Sequence, residues 1–291
     1  MRTENPRGYR ACRDGKKGLA VSEDTIIGAA FEPERPTSKP GAQRSQSQDA
    51  SADPAERLFK IRAARTPGQR RSASTLINLR YAWRGYSSKP LPQDPAPGRI
   101  TLVAAEEDDT IGTLTVGFDG PEGLMVEELF PSEVHALRAG GHRVCEFTKL
   151  AIDGASQSKR VLATLFHVAY LYAYRVMGYD SLLIEVNPRH VNYYSRILGF
   201  TILADSKMNP RVNAPAVLMC LDFTHTEEQI ARFGGQPQFS ATERSLYPYS
   251  FSLEEEAGIV ARIKRGDKRM AQAQYTATWP TADAAAMRAS M

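Results

Sequence analysis

The sequence predicts an α/β (α+β) fold: a mixed sheet with a central parallel strand pair, flanked by helices, behind a disordered N-terminal leader. Three observations predict it. A strand, a long amphipathic helix and a second strand follow one another in the middle of the chain, an order typical of a parallel βαβ unit. Two β-rich runs joined by an acidic turn precede this unit, and two more runs follow it. The first 68 residues carry few large apolar side chains at any regular spacing.

Residues 1–68 form the predicted leader, which is rich in Arg, Ser, Pro, Gln and Gly. A segment of this composition buries too little apolar surface to offset the entropy lost when its backbone is ordered. The amphipathic piece ERLFKIRAA at 56–64 is the exception. Lys and Arg outnumber Asp and Glu by 13 to 9 in the leader, whereas the rest of the 291-residue chain has 24 of each. The net charge of +4 therefore belongs to the leader, which argues against a uniformly basic nucleic-acid-binding domain.

The elements before the central unit follow from local patterns. SASTLINLRYAWRGY predicts an amphipathic helix with Ser72 or Ser74 as its N-cap, and a Pro-rich loop ends it. RITLVAAEE and TIGTLTVGF are rich in β-forming residues and predict a hairpin that turns at Asp108–Asp109. SEVHALRA predicts a short helix that ends at Gly140–Gly141.

The central unit starts with VCEFTKLAI, which predicts the first strand of the parallel pair. SKRVLATLFHVAYLYAYRVMG places its apolar side chains on one helical face, and SLLIEV predicts the second, buried strand. NPRHVNYYSRILGF predicts a helix with Asn187 as cap and Pro188 in the first turn. FTILAD and APAVLMCLDF then close the sheet. We therefore predict a core at 69–225 and a C-terminal extension at 226–291 with one surface helix.

Neither metal nor disulfide chemistry is indicated. The three cysteines, Cys12, Cys145 and Cys220, are far apart in the sequence and form no CxxC pair. His135 and His142 have no metal-ligand spacing with other His or Cys residues, so we expect no metal. No apolar run reaches the roughly 18 residues of a membrane span, and no apolar signal region follows the N-terminus. We expect a cytoplasmic protein.

The order of these elements, with AAEEDDTIGTLTV and EVNPRHVNYYSRILGF at their places, resembles the GNAT acyltransferase fold over residues 70–223. The ending Asn-x7-Tyr-x4-Gly-Phe resembles the last helix and strand of that fold; its residues are Asn187, Tyr194, Gly199 and Phe200. The resemblance implies acyl transfer to an amine.

The loop after the first central strand departs from the GNAT pattern. GNAT enzymes that use coenzyme A carry Gln/Arg-x-x-Gly-x-Gly/Ala there, and its backbone amides hold the pyrophosphate at a helix N-terminus. DGASQSKRVLA keeps Gln157 and Arg160 but has bulky residues at the expected glycines. The departure favours a donor whose acyl group is carried on the phosphopantetheine arm of acyl carrier protein.

Two details resemble particular GNAT relatives. CEFTKLAID is similar to the Glu-x-x-Arg strand of acyl-homoserine-lactone synthases, with Glu146 at the acid and Lys149 at the Arg position. NPRHVNYYSRILGF resembles long-chain N-acyl amino acid synthases of the FeeM type. This second resemblance implies a long-chain fatty acyl group that passes from acyl carrier protein to an amino-acid amine. No permanently bound cofactor is implied, since the acyl-phosphopantetheine or acyl-CoA is a donor substrate.

Two other functions stay open at this point. One is a GNAT N-acetyltransferase that uses acetyl-CoA or another acyl-CoA. The other is a non-catalytic GNAT-like binding module whose basic leader contacts nucleic acid or an acidic membrane. For the synthase we expect no nucleic-acid partner, and peripheral membrane contact only through the product or the leader.

The resemblance implies three catalytic candidates. Glu146 could accept the amine proton or bind the ammonium, or it could form an ion pair with Lys149 or a nearby arginine. Tyr194 could act as general acid towards the sulfur, or it could be an aromatic packed beneath the sheet. His190 could orient the substrate carboxylate or relay a proton, or it could cap or pack its helix.

The remaining candidates would bind the acyl donor or the acceptor. A backbone N–H near Thr148, Lys149 and Leu150, where the central strand of the fold commonly bulges, is the expected oxyanion donor. Lys159 and Arg160 could contact the phosphate of the arm, or they could be a solvated helix start. At the next helix, beside Asn187, Arg189 could bind a carboxylate or phosphate, or it could simply be solvated.

Overall fold

An eight-stranded sheet organises the part of the chain that the computed structural model describes, which is residues 25–31, 57–154 and 158–278. Its strands are β1 Thr25–Phe31, β2 Arg57–Ala63, β3 Arg99–Glu106, β4 Asp109–Phe118, β5 Val144–Ile152, β6 Ser181–Val186, β7 Thr201–Asn209 and β8 Ala214–Asp222. Their order across the sheet is β1-β2-β3-β4-β5-β6-β8-β7. Among these strands β5 and β6 are the one parallel pair, and the other neighbours are antiparallel. The predicted mixed sheet with a central parallel pair is confirmed.

Within the described residues six α-helices cover the sheet: α1 Pro67–Ala82, α2 Pro131–Ala139, α3 Lys159–Tyr170, α4 Val191–Leu198, α5 Phe223–Phe233 and α6 Leu253–Thr278. The last turns of the helix predicted after β5 are a π-turn at Leu171–Val176. A 3-10 turn at Met125–Glu128 follows β4, and another at Pro188–His190 leads into α4. None of the helices described is both long and apolar enough to cross a membrane.

The two faces of the sheet have separate cores. Cys145 and Phe147 on β5 point into the main core together with the buried side of α3. Val144 on β5 and Leu183 on β6 point to the other face, where they pack with the turn after β4 and with α2. Because side chains alternate along a strand, Glu146 lies on this second face.

Two strands lie inside the segment predicted to be a disordered leader, and that prediction is wrong for 25–31. The piece at 56–64 was the noted exception, and it supplies β2. In β2 the side chains of Phe59 and Ile61 are fully buried in the main core. Each of these strands is only seven residues long and lies within a polar stretch of sequence. The average composition of that stretch therefore does not reveal it. The other leader residues, Cys12 among them, lie outside the described part.

Helix α1 begins earlier than the sequence pattern predicts. Its N-cap is Thr66, not Ser72 or Ser74: the N–H of Gln69 donates to Thr66 Oγ1 at 3.2 Å, and the N–H of Thr66 donates to Gln69 Oε1 at 3.1 Å. This reciprocal capping box satisfies two N-terminal amides, and proline at the first helical position needs no partner for its nitrogen. The boundary drawn between residues 68 and 69 therefore falls inside a helix.

The C-terminal extension contains more than the one predicted surface helix. Helix α5 begins at Phe223 and buries it in the main core together with Ile230, so the boundary after residue 225 lies within that helix. In α6, Ile259 and Ile263 are also buried in the main core. The predicted helix ends in basic residues, but α6 continues to Thr278 and has no basic residue in its last turn. Its acidic start is typical of an exposed helix, yet its apolar stripe decides its position.

Candidate active site

The parallel strands β5 and β6 part in the middle of the sheet. They are paired at Val144–Ser181, Cys145–Leu182 and Glu146–Leu183, and no further along. Beyond this point β5 bulges: Lys149 has a φ of +53°, and the register with β4 shifts between Thr115 and Thr113. A bulge leaves an extra residue out of the hydrogen-bond ladder and bends its strand. Backbone N–H and C=O groups of β5 and β6 are therefore left unpaired along a gap between the two strands. This is the arrangement expected for the residues Thr148, Lys149 and Leu150.

Glu146 sits just before the gap, and both of its oxygens are hydrogen-bonded. Oε1 accepts from Arg99 Nη1 at 2.7 Å and from the N–H of Met125 at 3.0 Å, and Oε2 accepts from the N–H of Val126 at 3.0 Å. The residue is only 1% exposed. Of the ion pairs considered from the sequence, the one with a nearby arginine is present. By accepting from Met125 and Val126, Glu146 also holds the turn after β4 against the sheet.

Lys149 does not pair with Glu146. Its ammonium donates to the carbonyl of Lys89 at 3.1 Å, in the loop that follows α1. Burial and the positive charges of Arg99 and Arg211 lower the pKa of Lys149. The bulge therefore brings a second cation near the gap.

A second carboxylate on the same face, Glu185, was not singled out from the sequence. It lies near the carboxyl end of β6, where its Oε2 accepts from Asn209 Nδ2 at 2.9 Å and forms an ion pair with Arg211. Arg211 also contacts Glu128 at 2.9 Å. Burial raises the pKa of Glu185 despite the arginine. The sequence did offer one sign of it, an acidic residue within the apolar run SLLIEV. Charged side chains are seldom buried unless they are paired or have a role.

A cationic cluster lies where β6 leads into α4. His190 Nε2 is 3.2 Å from Arg189 Nε and 3.5 Å from Arg84 Nη1, and Arg189 Nη2 donates to the hydroxyl of Tyr86 at 3.0 Å. Burial and the two arginines lower the pKa of His190, so its ring is neutral and Nε2 accepts. Asn187 Oδ1 accepts from the N–H of Arg189 at 3.2 Å and caps this turn. Sequence reasoning missed Arg84 and Tyr86, which follow the C-terminal end of α1 and are distant in the sequence.

Tyr194 packs as an aromatic on the inner side of α4. It is half-buried, with its ring edge-on to Phe200 at a centroid distance of 6.0 Å. Burial raises the pKa of its hydroxyl far above the ordinary value, so the hydroxyl keeps its proton. Tyr194 can therefore donate a proton but is a poor base.

The start of α3 caps itself. Ser158 Oγ accepts from the N–H of Arg160 at 3.2 Å, and the side chains of Lys159 and Arg160 are exposed. Gln157 lies outside the described residues. Arg80 of α1 lies against Gly154 in the loop before α3. A Cβ added at Gly154 would be 3.0 Å from Arg80 Nη1. In the described ranges no three metal-ligating side chains come together.

Comparison with known proteins agrees with this geometry. The family model for the N-acyl amino acid synthase FeeM matches residues 72–222. The solved structure of FeeM, an N-acyl amino acid synthase from uncultured soil microbes, is 28% identical, with a TM-score of 0.51 over 57% of this chain and 90% of that chain. No curated protein sequence matches.

Two more distant structures are also similar. A GNAT-family acetyltransferase from Streptococcus pneumoniae is 15% identical over 56% of this chain and 98% of that chain, with a TM-score of 0.39. The acyl-homoserine-lactone synthase LasI is 13% identical over 56% of this chain and 89% of that chain, also with a TM-score of 0.39. The family model covers just over half of the 291 residues. The chain therefore belongs to the FeeM family of N-acyl amino acid synthases and is an N-acyltransferase.

Proposed function

We propose that this enzyme transfers a long-chain fatty acyl group from acyl carrier protein to the amine of an amino acid. The parting of β5 and β6 after Glu146 and Leu183 carries the proposal. Unpaired strand backbone can hold the amides of a pantetheine arm as it would hold an added strand. The thioester then lies by the bulge, where a backbone N–H between Thr148 and Leu150 stabilises the oxyanion.

The start of α3 supports a carrier protein as donor over coenzyme A. A pyrophosphate at this place needs free backbone amides and glycines that let it approach. Here the side chain of Ser158 already occupies the N–H of Arg160, and the run SQSKR has no glycine. The single phosphate of a carrier-bound arm needs fewer backbone hydrogen bonds than a pyrophosphate. The exposed Lys159 and Arg160 can bind it through their charge alone.

The cationic cluster at the start of α4 supports an amino acid as acceptor. Arg84 and Arg189 surround a neutral His190, and together they favour an anion of carboxylate size. The cluster directly follows β6, so a carboxylate bound there leaves its α-amine on the side of the gap. Tyr194, on the same helix, would supply the proton that the departing thiolate needs.

The acyl donor and acceptor can be identified by assay. The full chain is mixed with palmitoyl acyl carrier protein, palmitoyl-CoA or acetyl-CoA and each amino acid in turn, and products are measured by mass spectrometry. We expect N-palmitoyl amino acids with the carrier protein as donor and much slower formation from palmitoyl-CoA. Efficient turnover with acetyl-CoA alone would contradict the proposal and favour an ordinary N-acetyltransferase.

Replacing Arg189 by glutamine should raise the KM for the amino acid about tenfold with little change in kcat. A hydrogen bond to a charged group is worth ~1.5–3 kcal/mol, and each 1.4 kcal/mol is about tenfold in affinity. Arg196→Gln is the matched control, since it removes the same charge from an exposed position on α4. Equal KM values for an amino acid and its carboxamide would show that no carboxylate is bound there.

A further inference from the structure

Two buried oxygen atoms without hydrogen-bond partners lie where the parallel strands part. Glu146 on β5 is opposite Leu183 on β6, and this is the last paired position. Two residues further along each strand, on the same face of the sheet, are Thr148 and Glu185. Thr148 Oγ1 and Glu185 Oε1 are both buried and accept or donate no hydrogen bond. One such atom stands on each side of the gap.

Unpartnered buried oxygens are costly, so their occurrence as a facing pair needs an explanation. Leaving a buried polar group unsatisfied costs ~1–3 kcal/mol. Native proteins contain few such groups, and each calls for an explanation such as a catalytic role or a bound water or ion. The acyl donor is expected to enter this same gap, and the acceptor amine must meet the thioester there.

The two carboxylates on this face have different hydrogen-bond environments. Glu146 uses both oxygens to bind Arg99 and the turn after β4, so neither of its oxygens lacks a partner. Glu185 is anchored through Oε2 alone, by Asn209 and Arg211. These contacts hold the carboxylate in place, but Oε1 has no hydrogen-bond partner. A group that exchanges a proton with a substrate needs an atom that is free in this way.

We propose that Glu185, not Glu146, is the general base that accepts the proton of the acceptor amine, and that Thr148 positions the nitrogen from the opposite strand. The inference rests on the proposed function, because it assigns roles within that active site. The ammonium of the amino acid forms hydrogen bonds to Glu185 Oε1 and Thr148 Oγ1. These two contacts direct the nitrogen towards the thioester at the bulge.

The proton balance of the reaction is as follows. The ammonium gives one proton to Glu185, and the neutral nitrogen forms a bond to the thioester carbon, whose oxygen becomes the oxyanion. The carbon–sulfur bond breaks as the carbonyl re-forms, and the nitrogen loses a second proton, which the thiolate sulfur gains directly or through Tyr194. The products are an amide, a thiol and one proton, which Glu185 releases to solvent.

Burial outweighs the attraction of Arg211 and raises the pKa of Glu185. Arg211 favours its ionised form, whereas Glu128 and Glu146 disfavour it. Glu146 is itself neutralised by Arg99, and burial raises the pKa of Glu185 overall. A general base is most effective when its pKa is close to the operating pH. Since Glu185 acts in its ionised form, kcat should rise with pH through a pKa above the ordinary carboxyl range.

The test compares Glu185→Gln with wild type in the full chain, with saturating palmitoyl acyl carrier protein and amino acid. Glutamine keeps an oxygen for Arg211 and Asn209 but cannot take a proton. We expect kcat to fall about 100-fold, an unchanged KM for the acyl carrier protein, and loss of the acidic limb of the kcat profile. Glu122→Gln is the control, because it removes an exposed carboxylate from the loop after β4, away from Arg211 and Glu185. Its kcat should stay within twofold of wild type.

The outcomes separate this inference from the proposed function. If wild type forms no N-acyl amino acid from any donor, the proposed function fails. If wild type is active and Glu185→Gln keeps kcat within threefold and the same acidic limb, Glu185 is not the base.

If Glu185→Gln does not fold, two other measurements test the proposal. The kcat profile of wild type must show the acidic limb, and a flat profile overturns the proposal. Thr148→Val keeps the shape of the side chain without its hydroxyl. It should raise the KM for the amino acid several-fold and leave the KM for the acyl carrier protein unchanged. An unchanged KM for the amino acid would show that Thr148 does not contact the amine.

Discussion

Deleting residues 1–63 is expected to abolish folding of this enzyme, even though the family match begins only at residue 72. The deletion removes β1 and β2, and with them the buried side chains of Ile26, Phe59 and Ile61. Burial of each is worth ~2 kcal/mol, so the loss of about 6 kcal/mol is comparable to the whole stability of a typical domain, ~5–15 kcal/mol. The loss also leaves β3 as an unpaired edge, which favours aggregation.

Helix α6 would lose its support in the same deletion. The carbonyl of Ile26 accepts from Arg262 on α6 at 2.7 Å, so β1 ties the C-terminal helix to the sheet. Soluble yield, far-ultraviolet circular dichroism and thermal unfolding measure the effect. Deleting residues 1–24 is the control, because it removes no described residue, and that variant should keep the Tm of wild type. A soluble 64–291 fragment with wild-type Tm would contradict the prediction.

The elements that sequence reasoning found are those whose signals are local. In the run NPRHVNYYSRILGF the cap at Asn187 and the helix appear as predicted, because each depends on neighbours within a few residues. β1 and β2 lack such support. β1 pairs with β2, and β2 pairs with β3, which begins at Arg99, more than 35 residues after the end of β2. Average composition over residues 1–68 hid two short strands that only long-range contacts stabilise.

The candidate site shows the same division. Glu146 could be selected because it occurs in a motif, but the motif does not reveal that Arg99, from another strand, takes up its charge. Glu185 has no motif, and its significance comes from where β5 leaves β6. That geometry depends on the bulge at Lys149, whose positive φ no residue pattern announces. Sequence reasoning therefore led to the strands that part here, but it could not show which carboxylate has an oxygen without a partner.

Replacing Glu256 by alanine is expected to destabilise the enzyme by about 3 kcal/mol, since Glu256 joins α6 to the central helix α3. The N–H of Phe251 donates to His167 Nδ1 at 3.0 Å, so Nε2 carries the ring proton and donates to Glu256 Oε1 at 2.8 Å. Both side chains are buried. A hydrogen bond to a charged group contributes ~1.5–3 kcal/mol, and alanine also leaves the His167 donor unsatisfied. In a protein of this size ~1 kcal/mol shifts Tm by about 2–4 °C, so Tm should fall by roughly 6–12 °C.

The control for Glu256→Ala is Glu254→Ala, in the first turn of the same helix but exposed. It removes the same charge from the helix N-terminus, where the helix dipole makes an acid worth only ~0.3–1 kcal/mol. A difference between the two variants in urea unfolding therefore measures the buried pair rather than the net charge. If both lower the free energy of unfolding equally, burial of the Glu256 carboxylate adds nothing to the stability of α6. If Glu256→Ala is less stable than Glu254→Ala by at least ~2 kcal/mol, the contacts of Glu256 with His167 and Arg175 help to fix the C-terminal helix on the acyltransferase core.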